Sequence, residues 1–66
     1  MNIILNGELR SVAPHTPLPT LLEEMAMEPR NIAVECNGVI ISKSCYADTL
    51  LAEGDQLEII GFIGGG

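Results

Sequence analysis

Ile32-Ala33-Val34-Glu35-Cys36-Asn37-Gly38-Val39-Ile40-Ile41 places two runs rich in β-branched residues on either side of an Asn-Gly pair. That combination is the strongest short-range signal for a β-hairpin. A type I′ turn needs positive φ at both central residues, which Asn tolerates and Gly adopts freely. The pattern recurs nearer the N-terminus, where Asn6-Gly7 joins Ile3-Ile4-Leu5 to Glu8-Leu9-Arg10-Ser11-Val12. Two hairpins are therefore predicted.

Working outward, the segment between the hairpins reads as one helix. Thr16 is the candidate N-cap and Pro17 the first helical residue, where a missing N–H costs nothing. Pro19 still falls in the first turn, whose donors have no intrahelical partner. Leu18, Leu21, Leu22 and Met25 recur at helical spacing, with Glu23 and Glu24 on the opposite side. Pro29 closes the segment, because a proline pushes its predecessor out of α geometry.

Beyond the second hairpin, Ser42 to Leu51 reads as a turn or short helix, with Ser44 as cap and Ala47, Leu50 and Leu51 facing inward. Gly54-Asp55 marks a further turn. Gln56 to Phe62 is the last strand, with Leu57 and Ile59 on one face and Glu58, Ile60 and Phe62 on the other. The expected class is α+β: a mixed sheet of about five strands packed on one main helix, burying Leu5, Val34 and Leu57 with the helix stripe. Residues 1–63 are expected to form the domain, and residues 64–66 a flexible glycine tail.

Composition narrows the function. Sixty-six residues make one small domain, which buries only about 60% of the surface its unfolded chain exposes. Cys36 and Cys45 form no disulfide framework, and the strand-like pattern begins within the first ten residues with no secretory segment ahead of it. A reducing cytoplasm is the expected location. No apolar run approaches the roughly 18 residues that a membrane span requires. The net charge of −6 repels phosphate backbones, which argues against nucleic acid and anionic membranes as partners. It suits a protein with a basic docking face, and equally simple solubility. Apolar residues make up 47% of the chain, more than so small a core hides, so an exposed contact patch is expected.

The usual catalytic groupings are missing. His15 sits in a Pro-rich loop without a second ligand or nucleophile nearby and reads as an ordinary loop histidine. Cys36 and Cys45 lack both CxxC spacing and a His partner. Cys36 falls on the inward face of its strand with Ile32 and Val34, as a packing residue. The acidic pairs Glu23-Glu24 and Asp55-Glu58 read as solvated charge. No metal ligand set and no catalytic residue is expected in this chain.

Gly64-Gly65-Gly66 remains. By themselves, three terminal glycines read as a frayed end or a linker remnant. After a compact domain with no other reactive group, they also suit carrier work. They thread a narrow channel, rotate freely and leave the Gly66 carboxylate unhindered. Four extended residues from Ile63 onward span about 13–14 Å, enough to place that carboxylate in another protein's active site.

The run from Glu53 to Gly66, Glu-Gly-Asp-Gln-Leu-Glu-Ile-Ile-Gly-Phe-Ile-Gly-Gly-Gly, resembles the end of the ThiS family, the sulfur carriers of thiamine biosynthesis. Asn31-Ile32-Ala33-Val34-Glu35-Cys36-Asn37-Gly38 and Leu21-Leu22-Glu23-Glu24 are similar to that family too, and the resemblance extends over nearly the whole chain. One departure is Lys43-Ser44-Cys45-Tyr46, where family members often carry Arg-Ser-Glu-Trp. The resemblance implies a ubiquitin-like β-grasp fold and a chain that is an enzyme substrate rather than an enzyme. It implies an adenylating partner of the ThiF type, which uses ATP and Mg, so that the carrier binds no cofactor of its own. A cysteine desulfurase system would supply sulfur, and a thiazole synthase of the ThiG type would take it from a Gly66 thiocarboxylate. Gly64, Gly65 and Gly66 would enter partner active sites, with Ile60, Phe62 and Ile63 on the partner-facing surface.

Three other classes share these features. The small subunit of molybdopterin synthase has a similar tail, but tends to be longer and often carries prolines ahead of its glycines, where this chain has Phe62-Ile63. A ubiquitin-like modifier would join Gly66 to lysines. A plain interaction domain would leave the tail inert.

Overall fold

The computed structural model describes residues 1–61. Phe62, Ile63 and Gly64–Gly66, and with them the end of the expected last strand and the expected tail, lie outside the described residues. Both Asn-Gly pairs form the predicted turns, with φ of 50° and 84° at Asn6 and Gly7 and 51° and 85° at Asn37 and Gly38. The first hairpin is β1 (Asn2–Leu5) and β2 (Glu8–Ser11); the second is β3 (Ile32–Cys36) and β4 (Val39–Ile41). The last strand, β5 (Gln56–Gly61), inserts between them, giving the sheet order β2-β1-β5-β3-β4. β5 runs parallel to β1 and antiparallel to β3, so the sheet is mixed, as expected. One α-helix among the described residues, α1 (Leu18–Glu24), covers one face. This is the β-grasp arrangement.

The core follows from the two periodicities. Alternate strand residues Ile3, Leu5, Ile32, Val34, Leu57 and Ile59 are buried, and so are Leu18, Leu21 and Leu22 of the helix. Met25 and Cys36 are partly buried against that cluster. Glu23 and Glu24 are exposed. Among the described residues no helix is long and apolar enough to cross a membrane.

The helix boundaries differ from the sequence expectation. Pro17, not Thr16, is the N-cap residue. The Thr16 hydroxyl donates to the Ala13 carbonyl instead, tying its own loop. The first helical N–H, that of Leu18, donates to the Thr49 carbonyl at 2.8 Å, and Leu51 N–H donates to the Thr16 carbonyl at 2.9 Å. The helix entrance is thus stitched to the 42–51 segment through backbone groups. The helix also ends before Pro29. Ala26 takes φ of 57°, and its N–H donates to Glu23 while that of Met27 donates to Leu22, the paired bonds of a Schellman termination. Pro29 instead opens a 3₁₀ turn, Pro29–Asn31.

A 3₁₀-helix, Lys43–Asp48, follows the second hairpin, with Ser42 rather than Ser44 as its cap residue. Tyr46 and Leu51 are buried, whereas Ala47 and Leu50 are exposed. With three residues per turn, this segment presents a different set of side chains from the one an α-helical spacing implies. Gly54-Asp55 forms the expected turn, with Gly54 at φ of 82° and the Asp55 carboxylate accepting from Ala52 N–H at 2.8 Å.

Candidate functional site

The chain leaves the described structure from β5, the strand held most firmly. Its neighbours on both sides hydrogen-bond to it, and both turn asparagines add side-chain bonds. Asn6 Oδ1 accepts from Ile59 N–H at 2.8 Å and its Nδ2 donates to the Ile59 carbonyl at 3.4 Å. On the other flank, Asn37 Oδ1 accepts from Gln56 N–H and its Nδ2 donates to Asp55 Oδ1, both at 3.0 Å. Asn6 and Asn37 therefore do two tasks: each accepts the positive φ of its turn, and each pins β5. Such a mounting gives the segment beyond Gly61 a fixed point of departure.

Ile60 stands at that point as expected. It lies on the face opposite Leu57 and Ile59, is 59% exposed, and pairs with Ala33 across β3, while Gly61 pairs with Ile32. Phe62, Ile63, Gly64, Gly65 and Gly66 lie outside the described residues. Leu9 and Ile40, which the sequence did not single out, join Ile60 on this outer face. Only the strand register reveals them, because alternation does not say which face a two-strand edge presents.

The other candidates do not assemble into a reactive centre. His15 is an exposed loop residue at φ of 59°. Cys36 and Cys45 are both free thiols, the first half-buried and the second exposed. Burial pushes the Cys36 thiol pKa up, and the nearby Asp55 carboxylate adds to the rise. A thiol held in its protonated form is a poor nucleophile. Among the described residues no group of three or more His, Cys, Asp or Glu side chains could hold a metal ion. A surface hollow of about 400 Å³, bounded by residues that include Leu22, Glu23, Met27 and Pro29, has among the described residues no nucleophile or base apart from solvated carboxylates.

The 43–46 departure has a structural explanation. Tyr46 is in the core, so an aromatic side chain at that place serves packing. Lys43 Nζ donates to the Ile32 carbonyl at 2.7 Å, just beyond the end of β4 at Ile41.

Comparison with known proteins agrees with this geometry. A crystal structure of the thiamine biosynthesis protein ThiS from Geobacter metallireducens superimposes with a TM-score of 0.85 at 29% identity, covering all of both chains. The thiazole synthases of Paramagnetospirillum magneticum and Magnetococcus marinus are 42% and 41% identical to this chain over all 66 of its residues. The chain spans about a fifth of the length of those relatives, matching 20% of each. The model of the ThiS family matches residues 3–66. With its fold matched and residues 3–66 accounted for by that family model, the chain belongs to the ThiS family of small sulfur-carrier proteins.

Proposed function

We propose that this chain carries sulfur for thiazole formation in thiamine biosynthesis, with the Gly66 carboxylate as the attachment point. The observation that carries the reading is the family match through residue 66, which includes the terminal glycines. The firmly anchored β5 supports it, because it gives a glycine tail a rigid base from which to reach.

The chemistry explains why such a tail needs enzymes. A carboxylate is a poor electrophile, since its charge is delocalised and oxide is a poor leaving group. An adenylating partner of the ThiF type, using ATP and Mg, joins the Gly66 carboxylate to AMP and releases pyrophosphate. The terminal sulfur of a cysteine persulfide, made by a desulfurase, attacks the acyl carbon and expels AMP. A thiol then cleaves the resulting acyl disulfide and frees the thiocarboxylate. A synthase of the ThiG type takes that sulfur into the thiazole. This chain contributes an unhindered terminal carbon and a docking surface that includes Ile60, Phe62 and Ile63. Gly64, Gly65 and Gly66 thread the partner's channel, and residues 1–63 form the body that docks.

Intact-mass measurement on protein isolated from its native cells tests the reading. A mass increase equal to replacing one oxygen by one sulfur, localised to the C-terminal peptide, is the expected result. A larger adduct joined to lysines of other proteins points to a modifier, and an unaltered terminus under sulfur-replete thiamine synthesis overturns the carrier function.

A further inference from the structure

Asparagine is a thermolabile residue, and both turn asparagines precede glycine, which offers no side chain to hinder attack by its own nitrogen on the amide before it. Asn6, Gly7, Asn37 and Gly38 are all exposed. Among the described residues nothing beyond chain neighbours lies within 4 Å of where a Cβ on either glycine would stand. The two sites differ in what holds the amide. Asn6 is bonded to Ile59, midway along β5, through part-buried bonds. The bonds of Asn37 reach the start of β5 and are exposed: Oδ1 accepts from Gln56 N–H and Nδ2 donates to Asp55 Oδ1, both at 3.0 Å. Exposed bonds at the end of a strand open more often than bonds inside a sheet. The Asn37 amide is therefore the one released to react.

Its partner decides what the reaction would do. Asp55 uses both carboxylate oxygens, Oδ1 accepting from Asn37 and Oδ2 from Ala52 N–H at 2.8 Å. A carboxylate at position 37 would still accept from Gln56 N–H, but would turn its other oxygen on Asp55. Two carboxylates at hydrogen-bond distance repel, and one of them resists ionisation. At Asn6 the same change sets an oxygen against the Ile59 carbonyl, a neutral group at 3.4 Å.

We propose that Asn37 is a site of spontaneous deamidation, and that the carboxylate it leaves repels Asp55 and releases the start of β5 from the second hairpin. The proposal is independent of the sulfur-carrier function. The Gly38 nitrogen attacks Asn37 Cγ and forms a C–N bond; its proton is lost, and the former amide nitrogen leaves as ammonia. Water then opens the succinimide at either carbonyl, giving aspartate or isoaspartate. One amide and one water thus become one carboxylate and one ammonium ion, with no change of oxidation state. Isoaspartate also routes the main chain through the side-chain carbon, which lengthens a turn built on positive φ at residues 37 and 38. The change is slow and one-way, and its cost falls on the strand that joins the two hairpins.

Full-length protein kept folded at neutral pH in heavy-oxygen water, and sampled over weeks by peptide mapping, tests the site. The residue-37 peptide is expected to gain heavy oxygen several-fold sooner than the residue-6 peptide, as a mixture of aspartate and isoaspartate. In denaturant the two should react alike, because each asparagine precedes glycine. Equal rates in the folded protein, or Asn6 first, overturn the assignment. So does a folded protein that stays unlabelled while the denatured chain reacts. Thermal melts and amide exchange of substituted proteins test the consequence. Asn37→Asp should lower the melting temperature and quicken exchange at Gln56 more than at Ile59. Combining it with Asp55→Asn reverses the pair: the amide at 55 donates to the carboxylate at 37 and still accepts from Ala52 N–H. This double variant should regain most of the loss, and more than Asp55→Asn changes the wild type. An Asn37→Asp protein as stable as wild type, or a double variant no better than Asn37→Asp alone, overturns the repulsion.

Discussion

Asn6 holds Ile59 at both backbone groups, accepting from its N–H at 2.8 Å and donating to its carbonyl at 3.4 Å. The side-chain amide acts as one more peptide unit of β1, continuing the parallel ladder after the chain has turned into β2. Replacing Asn6 with Gly keeps a residue suited to φ of 50° and removes only the amide. Each such hydrogen bond contributes about 0.5–1.5 kcal/mol, so a loss of about 1–2 kcal/mol is expected in denaturant melts. Amide exchange at Ile59 should quicken more than exchange elsewhere in β5. Uniform acceleration along the strand would mean that the amide does not anchor this point.

Leu22 is 1% exposed and packs within the continuous core. Its truncation to Ala should destabilise by about 2–5 kcal/mol through lost transfer energy and the cavity left behind. A chemical-denaturation midpoint shifted by less than about 1 kcal/mol equivalent would contradict the packing.

Ala26 occupies the left-handed position that ends α1, where a Cβ costs roughly 1–2 kcal/mol. Glycine there removes that strain but gives the unfolded chain more freedom. The net expectation for Ala26→Gly is a gain of about 0.5–1 kcal/mol, read as a raised melting temperature. A loss would show that the alanine methyl makes a contact worth more than the strain.

The two thiols should separate by reactivity. Cys45 is exposed, while the half-buried Cys36 has its pKa raised by burial and then by Asp55. Limited maleimide treatment followed by peptide mapping should find Cys45 modified first. The rise in the Cys36 pKa also has a thermodynamic sign. The folded thiol keeps its proton where the unfolded one has ionised, so its contribution is complete below the unfolded thiol pKa and declines as pH rises through the folded one. Replacing Cys36 with Ala should flatten that alkaline decline in stability.

Adding one alanine after Gly66 tests the terminal carboxylate. It moves the carboxylate about 3.3–3.6 Å when extended, whereas reacting atoms must approach within about 3–3.5 Å and a 1 Å misplacement can cost about 100-fold. Exchange of pyrophosphate into ATP by the adenylating partner should fall at least that far, with an unchanged melt. Full exchange by a verified, unprocessed variant would leave the inert-tail alternative as the better one.

Local chemistry made much of the fold legible. Each Asn-Gly pair specifies its turn within two residues, and the Leu18, Leu21 and Leu22 spacing identifies the buried helix face. The helix end was hidden because Ala26 fills a position that glycine usually marks. Thr16 gave a capping signal, but its hydroxyl found a nearer acceptor in its own loop. Tyr46 was missed because the 43–48 segment has a 3₁₀ period. Of the site, the exposure of Ile60 could be read from alternation alone. The bond from Asn37 to Asp55 could not, since it joins residues 18 apart in sequence.

The placement of β5 has a consequence for biosynthesis. Among the described residues β1 pairs only with β2 and β5, and β3 only with β4 and β5, so the last described strand is the one that unites the hairpins. An isolated two-stranded hairpin is marginally stable at best in water. Until residues 56–61 are in place, the chain has two such hairpins and no complete sheet. A chain interrupted before that strand therefore has two separate hairpins and no sheet for α1 to cover.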